Sequence, residues 1–313
     1  MPRYAPLIPL LSLLGACAQA PPPATDGFAT LADGARLYYQ RLGTGEQVVV
    51  IPMAVYLSDA LAPLAVGRQL ILYDPVGRGR SGPTDTARVS LDREVADLEE
   101  LREALGIERM ALLGWSGLGM QMAVYAMRHP DRVTRLVQVS PVPPAESIML
   151  SAGGDTRAAR VDTAAVTSLL GRHGRGDFAD DPAGFCRQYN ALSQPGSFAD
   201  PSHLAKVPDL CEHPNEWPLN LWPYFGALLG SFRGYDWRDS IGALEIPRLV
   251  IHGREDGIPL AGAQAWVEGY PNARLIVLSP AGHFPFLERA TEFFPAVDRF
   301  LSGEWPPEAR RLP

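Results

Sequence analysis

Three residues far apart in the chain, a serine, an aspartate and a histidine, could together perform nucleophilic catalysis. Ser116 lies in LLGWSGLGM, where glycines flank it after a short apolar run. Asp256 follows the run PRLVIHG, and His283 follows ARLIVLSPAG. A serine hydroxyl needs a base to remove its proton, and a carboxylate orients that base. The pattern predicts acyl transfer, with Ser116 as nucleophile, His283 as base and Asp256 as the acid.

Two neighbouring residues compete for these roles. Glu255 directly precedes Asp256 and is the rival for the acid, whereas His252 ends an apolar run, where a structural hydrogen bond is expected. The other histidines lack the paired spacing of metal ligands, and the chain has no phosphate-binding loop. We therefore expect neither a metal ion nor a cofactor.

The elements around Ser116 should present it at a sharp turn. Residues 110–113 are typical of a buried strand, and the segment after Ser116 is typical of a helix. Such a turn requires small neighbours and directs the helix N–H groups towards the serine. The neighbouring glycines are Gly114, Gly117 and Gly119.

Apolar, β-branched runs alternate with helical patterns along most of the chain. One such pattern spans residues 90–106, where Ser90 can cap a helix that ends at Gly106. The alternation predicts a mostly parallel sheet with helices on both faces. Residues 142–238 break this alternation, and the stretch is too long for a loop in a compact domain. It predicts an inserted helical module.

These features resemble the α/β-hydrolase fold superfamily, whose triad runs in the order serine, acid, histidine. The segments HGREDGIP and AGHFPFLE match family habits at the acid and the histidine. YDPVGRGRSG, residues 73–82, resembles a turn of the prolyl-iminopeptidase-like branch. The resemblance covers about residues 27–302, and it implies an eight-stranded, mostly parallel sheet with a helical cap that selects the substrate.

The residue patterns and the resemblance together divide the chain into five parts. The first is a signal peptide with a proline-rich tether, the cap interrupts the hydrolase core, and the tail GEWPPEARRLP is expected to be poorly ordered. The boundaries in chain order are 1–26 for the signal and tether, 27–141 for the first part of the core, 142–238 for the cap, 239–302 for the second part of the core, and 303–313 for the tail.

The superfamily stabilises an oxyanion with two backbone N–H groups. The resemblance implies Gly117 as one donor and the turn after VVVI as the other. Many relatives have His-Gly there, whereas this chain has Pro52-Met53-Ala54. Proline has no N–H, so the donor is Met53 or Ala54, and Met53 is preferred.

The cap and the nucleophile turn supply candidate substrate contacts: Trp115, Glu212, Glu216 and Trp217. The dense cap aromatics either line an apolar pocket or form the core of the cap itself. Iminopeptidases hold the free amine of their substrate with cap carboxylates, which implies that role for Glu212 and Glu216. Solvated surface glutamates are the alternative interpretation.

The N-terminal segment suggests export. Residues 7–14 form an apolar run that is too short to span a bilayer and is typical of a secretory signal. LGAC resembles a lipobox, which implies lipidation of Cys17 and anchoring in a bacterial cell envelope or periplasm; an ordinary cleaved signal is the alternative. An oxidising compartment would allow Cys186 and Cys211 to form a disulfide, although two buried thiols are also possible.

The charge balance limits the classes of molecule that the protein is expected to bind. The formal net charge is −7 and no basic patch stands out, which argues against nucleic acid. We expect a small ester, amide or short peptide as substrate, and membrane contact only through the lipid anchor. The leading hypothesis is a serine hydrolase that forms an acyl-enzyme. The alternatives are a prolyl-iminopeptidase-like aminopeptidase, the same triad used for perhydrolysis or C–C cleavage, and a catalytically silent ligand-binding protein.

Overall fold

One sheet of eight strands forms the centre of the protein, in a computed structural model that describes residues 25–151 and 160–313. The expected signal segment and Cys17 lie outside the described residues. The strands are β1 (Thr25–Thr30), β2 (Arg36–Leu42), β3 (Val48–Pro52), β4 (Gln69–Tyr73), β5 (Met110–Trp115), β6 (Val133–Val139), β7 (Arg248–Gly253) and β8 (Ala273–Leu278).

The strand order is β1-β2-β4-β3-β5-β6-β7-β8. β2 pairs antiparallel with β1 and β4, and every pairing from β4 to β8 is parallel. The expected eight-stranded, mostly parallel sheet is thus confirmed. The parallel strands end at the same edge, so the loops after β5, β7 and β8 can meet there.

Helices connect the strands and cover both faces of the sheet. They are α1 (Ala54–Leu61), α2 (Leu91–Ala104), α3 (Gly117–Arg128), α4 (Glu146–Ser151), α5 (Thr163–Gly174), α6 (Pro182–Ser193), α7 (Pro218–Gly230), α8 (Arg238–Gly242), α9 (Leu260–Ala265), α10 (Pro285–Glu288) and α11 (Ala290–Leu301). None of these described helices has the length and apolar character to cross a bilayer.

The core follows from the alternation of side chains along the strands. On β5, Met110 and Leu112 pack in one buried cluster, while Ala111 and Leu113 pack in the other, on the opposite face. All four are at most 1% exposed, as expected for a central strand covered on both sides. This burial fixes the strand that carries the turn at Ser116.

Helix α2 forms where its sequence pattern places it. The Ser90 hydroxyl accepts a hydrogen bond of 3.1 Å from the Arg93 N–H at its start, and Gly106 follows its end with φ of 66°. Leu91, Val95 and Leu98 are buried, and so is Glu94, which lies on the same face.

Between β6 and β7, the described residues contain α4 to α8, in the stretch where the broken alternation predicts an inserted helical module. Cys186 on α6 and Cys211 form a disulfide with a Cα–Cα distance of 5.7 Å. Of the two alternatives for these cysteines, a disulfide or two buried thiols, the structure contains the disulfide.

The C-terminal tail differs from its expectation of poor order. The Arg310 N–H donates a bond of 2.9 Å to the Leu275 carbonyl and the Leu275 N–H donates one of 2.9 Å back, so the tail bridges to β8. The Trp305 ring packs on Phe300, with a centroid distance of 5.1 Å. These contacts hold the tail against the core and bury Ala309.

Candidate active site

Ser116 lies at a strained turn between β5 and α3. Its backbone has φ of 60° and ψ of −132°, a conformation that L-residues rarely adopt. A Cβ on Gly114 would lie 2.5 Å from the Leu118 carbonyl oxygen, so a glycine is required there. Gly117 differs from our expectation, since a Cβ there would meet no atom within 4 Å. The close approach of strand and helix therefore depends on Gly114 and on Gly119, where a Cβ would lie 2.9 Å from the Gly114 carbonyl oxygen, and not on Gly117.

The structure brings Ser116, His283 and Asp256 together. Ser116 Oγ lies 2.9 Å from His283 Nε2. His283 Nδ1 lies 3.0 Å and 2.9 Å from the two carboxylate oxygens of Asp256. Because the carboxylate accepts the hydrogen of Nδ1, Nε2 presents its lone pair to the serine hydroxyl.

Asp256, and not Glu255, contacts the histidine. The Ile258 N–H donates a bond of 3.0 Å to Asp256 Oδ1. Burial opposes ionisation, but the charge and hydrogen bond of His283 outweigh it and lower the pKa of Asp256 to about 2. Glu255 instead accepts hydrogen bonds from Ser279 and Ala281. The carboxylate beside the imidazole is therefore charged throughout the neutral pH range.

His252 has the structural position that its sequence context predicts. Its Nε2 donates a bond of 3.1 Å to the Ile258 carbonyl, in the turn that follows Asp256. Burial lowers the pKa of His252, against the opposing charge of Asp256. A neutral imidazole thus braces the turn that carries Asp256.

Two backbone contacts hold His283 in place. Its N–H donates a bond of 2.7 Å to the Ser197 carbonyl. Its carbonyl accepts a bond of 2.7 Å from the indole N–H of Trp115, the residue before Ser116. The turn that carries the serine therefore also positions the histidine.

The expected oxyanion donors lie beside the same cavity as Ser116. Met53 caps α1 in a left-handed conformation, with φ of 70° and ψ of 59°, and Gly117 is the first residue of α3. The first N–H groups of a helix lack intrahelical acceptors. Asp74 fixes the Met53 turn by accepting bonds of 2.9 Å from the N–H groups of Val55 and Arg80. Ala54, the other candidate, is buried and is not among the lining residues.

A mostly apolar cavity of about 420 Å³ opens at the serine, and we call it the inner cavity. Its walls include Leu91, Met120 and Leu228 from three helices. It also contains a compact polar group made by Arg78, Glu94, Gln121, Glu216 and Tyr224. The cavity therefore suits an apolar group with a small polar feature.

Glu94 is the unusual member of the polar group. Gln121 and Tyr224 both donate hydrogen bonds to its carboxylate. Burial raises the pKa of Glu94 to about 7, although Tyr224, Arg78 and Gln121 oppose the shift. This carboxyl group changes its charge near neutral pH within the wall of the cavity.

Arg78 and Glu216 form a buried ion pair between the core and the helical insert. Arg78 Nε and Nη2 each donate a bond of 2.7 Å to Glu216, which also accepts one of 2.9 Å from the Gly79 N–H. Burial opposes ionisation of Glu216, but Arg78 outweighs it and holds the pKa of that carboxyl below its usual value. Arg78 already occupies the cation position that we predicted for a substrate amine.

The other predicted substrate contacts divide into two groups. Trp115 and Glu216 line the inner cavity, whereas Glu212 and Trp217 are not among its described lining residues. Glu212 is exposed and pairs with Arg187 at 3.0 Å. The indole N–H of Trp217 donates a bond of 2.9 Å to the Cys211 carbonyl. The structure therefore corrects both: Glu212 is a solvated surface glutamate, and Trp217 braces the disulfide-bearing loop.

Sequence reasoning missed Glu94, Gln121 and Arg78. The signal was a polar residue on the apolar face of a helix: Glu94 lies between Leu91 and Leu98 on α2, and Gln121 lies within the apolar run of α3. Such residues need a buried partner or a function. In the described ranges, no cluster of three or more His, Cys, Asp or Glu side chains could hold a metal ion.

Comparisons with known proteins agree with this architecture. The alpha/beta hydrolase fold profile matches residues 43–290. A proline iminopeptidase of Heyndrickxia coagulans is 24% identical over 89% of this chain and 99% of its own length. A 2-hydroxymuconate semialdehyde hydrolase of Pseudomonas putida is 31% identical, over 75% of this chain and 77% of its own.

An esterase and a solved structure extend the similarity. A pimeloyl-[acyl-carrier protein] methyl ester esterase of Aeromonas hydrophila is 27% identical over 84% of this chain and 98% of its own length. The structure of an alpha/beta fold family hydrolase from Bacillus anthracis superposes with a TM-score of 0.68 and 22% identity, covering 90% of this chain and 99% of that one. On the family match, which spans most of the sequence, the chain belongs to the alpha/beta hydrolase fold family.

Proposed function

We propose that this protein is a serine hydrolase that cleaves carboxylic ester or amide bonds through an acyl-enzyme on Ser116. The observation that carries the proposal is the 2.9 Å contact between Ser116 Oγ and His283 Nε2 at the inner cavity. The family match and the hydrolase relatives support the same class of reaction.

The first half-reaction would transfer the acyl group to the enzyme. Ser116 Oγ bonds to the carbonyl carbon while its proton passes to His283 Nε2, and the carbonyl π electrons move to the oxygen. When the tetrahedral intermediate collapses, the bond to the leaving group breaks and His283 returns the proton to the leaving atom. Asp256 remains ionised and stabilises the imidazolium.

The second half-reaction would release the acid. A water molecule bonds to the acyl carbon as His283 takes one of its protons, and the bond to Ser116 Oγ then breaks as the proton returns to that oxygen. The N–H groups of Met53 and Gly117 would stabilise the oxyanion in both steps. One such donor is typically worth about 2.7–4 kcal/mol of transition-state stabilisation.

Esters with an uncharged acyl group are the substrates that the inner cavity favours. Arg78 neutralises Glu216, and the remaining walls are largely apolar. An esterase is also among the relatives.

Aminopeptidase activity is the second candidate, and Glu94 favours it. An ionised Glu94 in an apolar cavity could accept a protonated substrate amine. A proline iminopeptidase is among the relatives.

One chromogenic panel separates these candidates. It compares p-nitrophenyl esters of short and long acids with aminoacyl p-nitroanilides that carry a free or a blocked amine. An esterase cleaves the esters and ignores the free amine, whereas an aminopeptidase requires it. Ser116→Ala is the control, and equal rates for variant and parent would contradict the proposal. A silent binding protein would turn over nothing in the panel.

We also propose that the chain is exported and lipid-anchored through Cys17. The Cys186–Cys211 disulfide supports export, because disulfides persist in oxidising compartments. Metabolic labelling of the full chain with an alkynyl fatty acid tests the anchor. The parent should be labelled and Cys17→Ala should not; labelling of neither would contradict lipidation.

A further inference from the structure

A second cavity of about 660 Å³ adjoins the inner cavity, and we call it the outer cavity. The two cavities share a wall, formed by Tyr56, Trp115, Tyr189, Gln194, Leu221 and Phe225. Ser116 and His283 line only the inner cavity, whereas Val166 and Thr167 of α5 line only the outer cavity. A substrate held at Ser116 therefore lies in the inner cavity, beside the wall that this cavity shares with the outer cavity.

The outer cavity lies against the backbone of His283. Phe284, the next residue, forms part of its wall. Ser197, whose carbonyl accepts the His283 N–H, forms another part, and Trp115, which donates to the His283 carbonyl, lies in the shared wall. The inner cavity extends in contrast towards Leu91 on α2 and Leu228 on α7.

The chemistry of the proposed function assigns a side to each half of the substrate. The imidazole that takes the serine proton must return it to the leaving atom, so the leaving group lies beside His283. The acyl group stays bonded to the serine oxygen and extends away from the imidazole. We propose that the outer cavity receives the leaving group and that the inner cavity receives the acyl group.

The lining of the outer cavity indicates which leaving groups it would accept. Of its described lining residues, none carries a charge. Five aromatic rings line it, and neighbouring rings hold them: Tyr56 stacks on Trp115 at 5.3 Å, and Phe284 stacks at 4.6 Å on Phe198, which lies behind the described lining. Preformed ring surfaces favour aromatic groups in offset or edge contact.

The inference deepens the proposed function and rests on it. We expect this enzyme to prefer esters or amides of bulky, uncharged and preferably aromatic alcohols or amines. Charge selection would occur only on the acyl side, since Arg78, Glu94 and Glu216 all line the inner cavity.

Val166→Trp tests the assignment, because Val166 is half-buried in the wall of the outer cavity only. The substrates are methyl, benzyl and naphthylmethyl butyrate, which share one acyl group. The readout is kcat/KM, which reports steps up to acylation. We expect a loss of about tenfold or more for naphthylmethyl butyrate, relative to the change for the methyl ester.

Leu228→Trp is the matched control in the inner cavity. It should lower kcat/KM for the three butyrates by similar factors. Its effect on kcat/KM should differ between methyl esters of short acids and methyl esters of long acids. Thr167→Trp, from the exposed side of the outer cavity, is the second variant if Val166→Trp does not fold by circular dichroism.

The outcomes separate the two proposals. If Val166→Trp or Thr167→Trp changes all three butyrates equally, or if only Leu228→Trp alters leaving-group preference, the assignment of the outer cavity is wrong while the hydrolase proposal stands. If the parent hydrolyses no ester in the set and a fluorophosphonate does not label Ser116, the hydrolase proposal fails and the inference fails with it.

Discussion

The indole N–H of Trp115 donates a hydrogen bond of 2.7 Å to the backbone carbonyl of His283. The Trp115 ring also packs against the His283 imidazole, with a centroid distance of 4.9 Å. Trp115 and Ser116 are neighbours in the chain, so one short segment carries Ser116 and holds His283. Trp115 is therefore a positioning residue for the proposed proton transfer.

Trp115→Phe should reduce kcat modestly with the fold retained. The change removes the N–H but keeps an aromatic ring, and a neutral hydrogen bond contributes about 0.5–1.5 kcal/mol. We expect kcat to fall by roughly 2- to 10-fold. Steady-state kinetics with circular dichroism as the folding control check it. An unchanged kcat in the folded variant would show that the contact does not position His283.

Removing Arg78 alone should destabilise the protein strongly. Arg78→Met leaves the buried Glu216 carboxylate without its partner, which typically costs about 3–5 kcal/mol. Arg78→Met combined with Glu216→Leu should recover most of that loss, because no lone charge remains. Urea denaturation of the parent, both single variants and the double variant gives the coupling energy. Additive losses would show that the pair is not coupled.

Glu94 should make stability depend on pH. Its pKa is about 7 in the folded protein, against the ordinary value of 4.5. The folded state therefore binds this proton more tightly than the unfolded state does. The contribution of Glu94 to the free energy of unfolding is complete below the ordinary pKa and is lost as pH rises through about 7. Glu94→Gln cannot ionise, so from about pH 5 to about pH 8 it should gain free energy of unfolding relative to the parent.

The control for Glu94 is Glu103→Gln, an exposed position on the same helix. Urea denaturation across the pH range supplies the free energies. A constant difference between the parent and Glu94→Gln would contradict the raised pKa.

Reduction of the disulfide should lower thermal stability. Cys186 and Cys211 are 25 residues apart, and closing a loop of that length stabilises by about 3.5 kcal/mol in the chain-entropy model. We expect a lower Tm for the parent in a phosphine reductant, and no effect of reductant on Cys186→Ser combined with Cys211→Ser. Equal Tm values for the parent with and without reductant would show that the crosslink adds no stability.

The sequence could predict the elements that local patterns specify. The apolar runs of β3, β4, β5, β7 and β8 are mostly buried strands in the sheet, and Ser90 caps α2 as its position suggests. The edge strand β1 was missed because TDGFAT is polar, contains a glycine and has neighbours on one side only. The meeting of Ser116, Asp256 and His283 could be predicted because each follows the end of a parallel strand.

Contacts between distant segments could not be predicted in this way. Glu216 was expected to bind a substrate amine, but 138 residues separate it from Arg78, which binds it instead. Glu94 meets Tyr224 across a similar separation of 130 residues. Local periodicity shows that a polar residue lies on an apolar face, whereas its partner depends on how the insert packs on the core.

The rate at which a fluorophosphonate labels Ser116, followed by intact mass and peptide mapping, tests the central claim most directly. Proton transfer by a positioned base typically contributes about 10²–10⁴-fold. We predict one label on Ser116 in the parent, none on that peptide in Ser116→Ala, and labelling of His283→Ala slowed by a factor in that range. Labelling of Ser116 at the parental rate in folded His283→Ala would contradict the account.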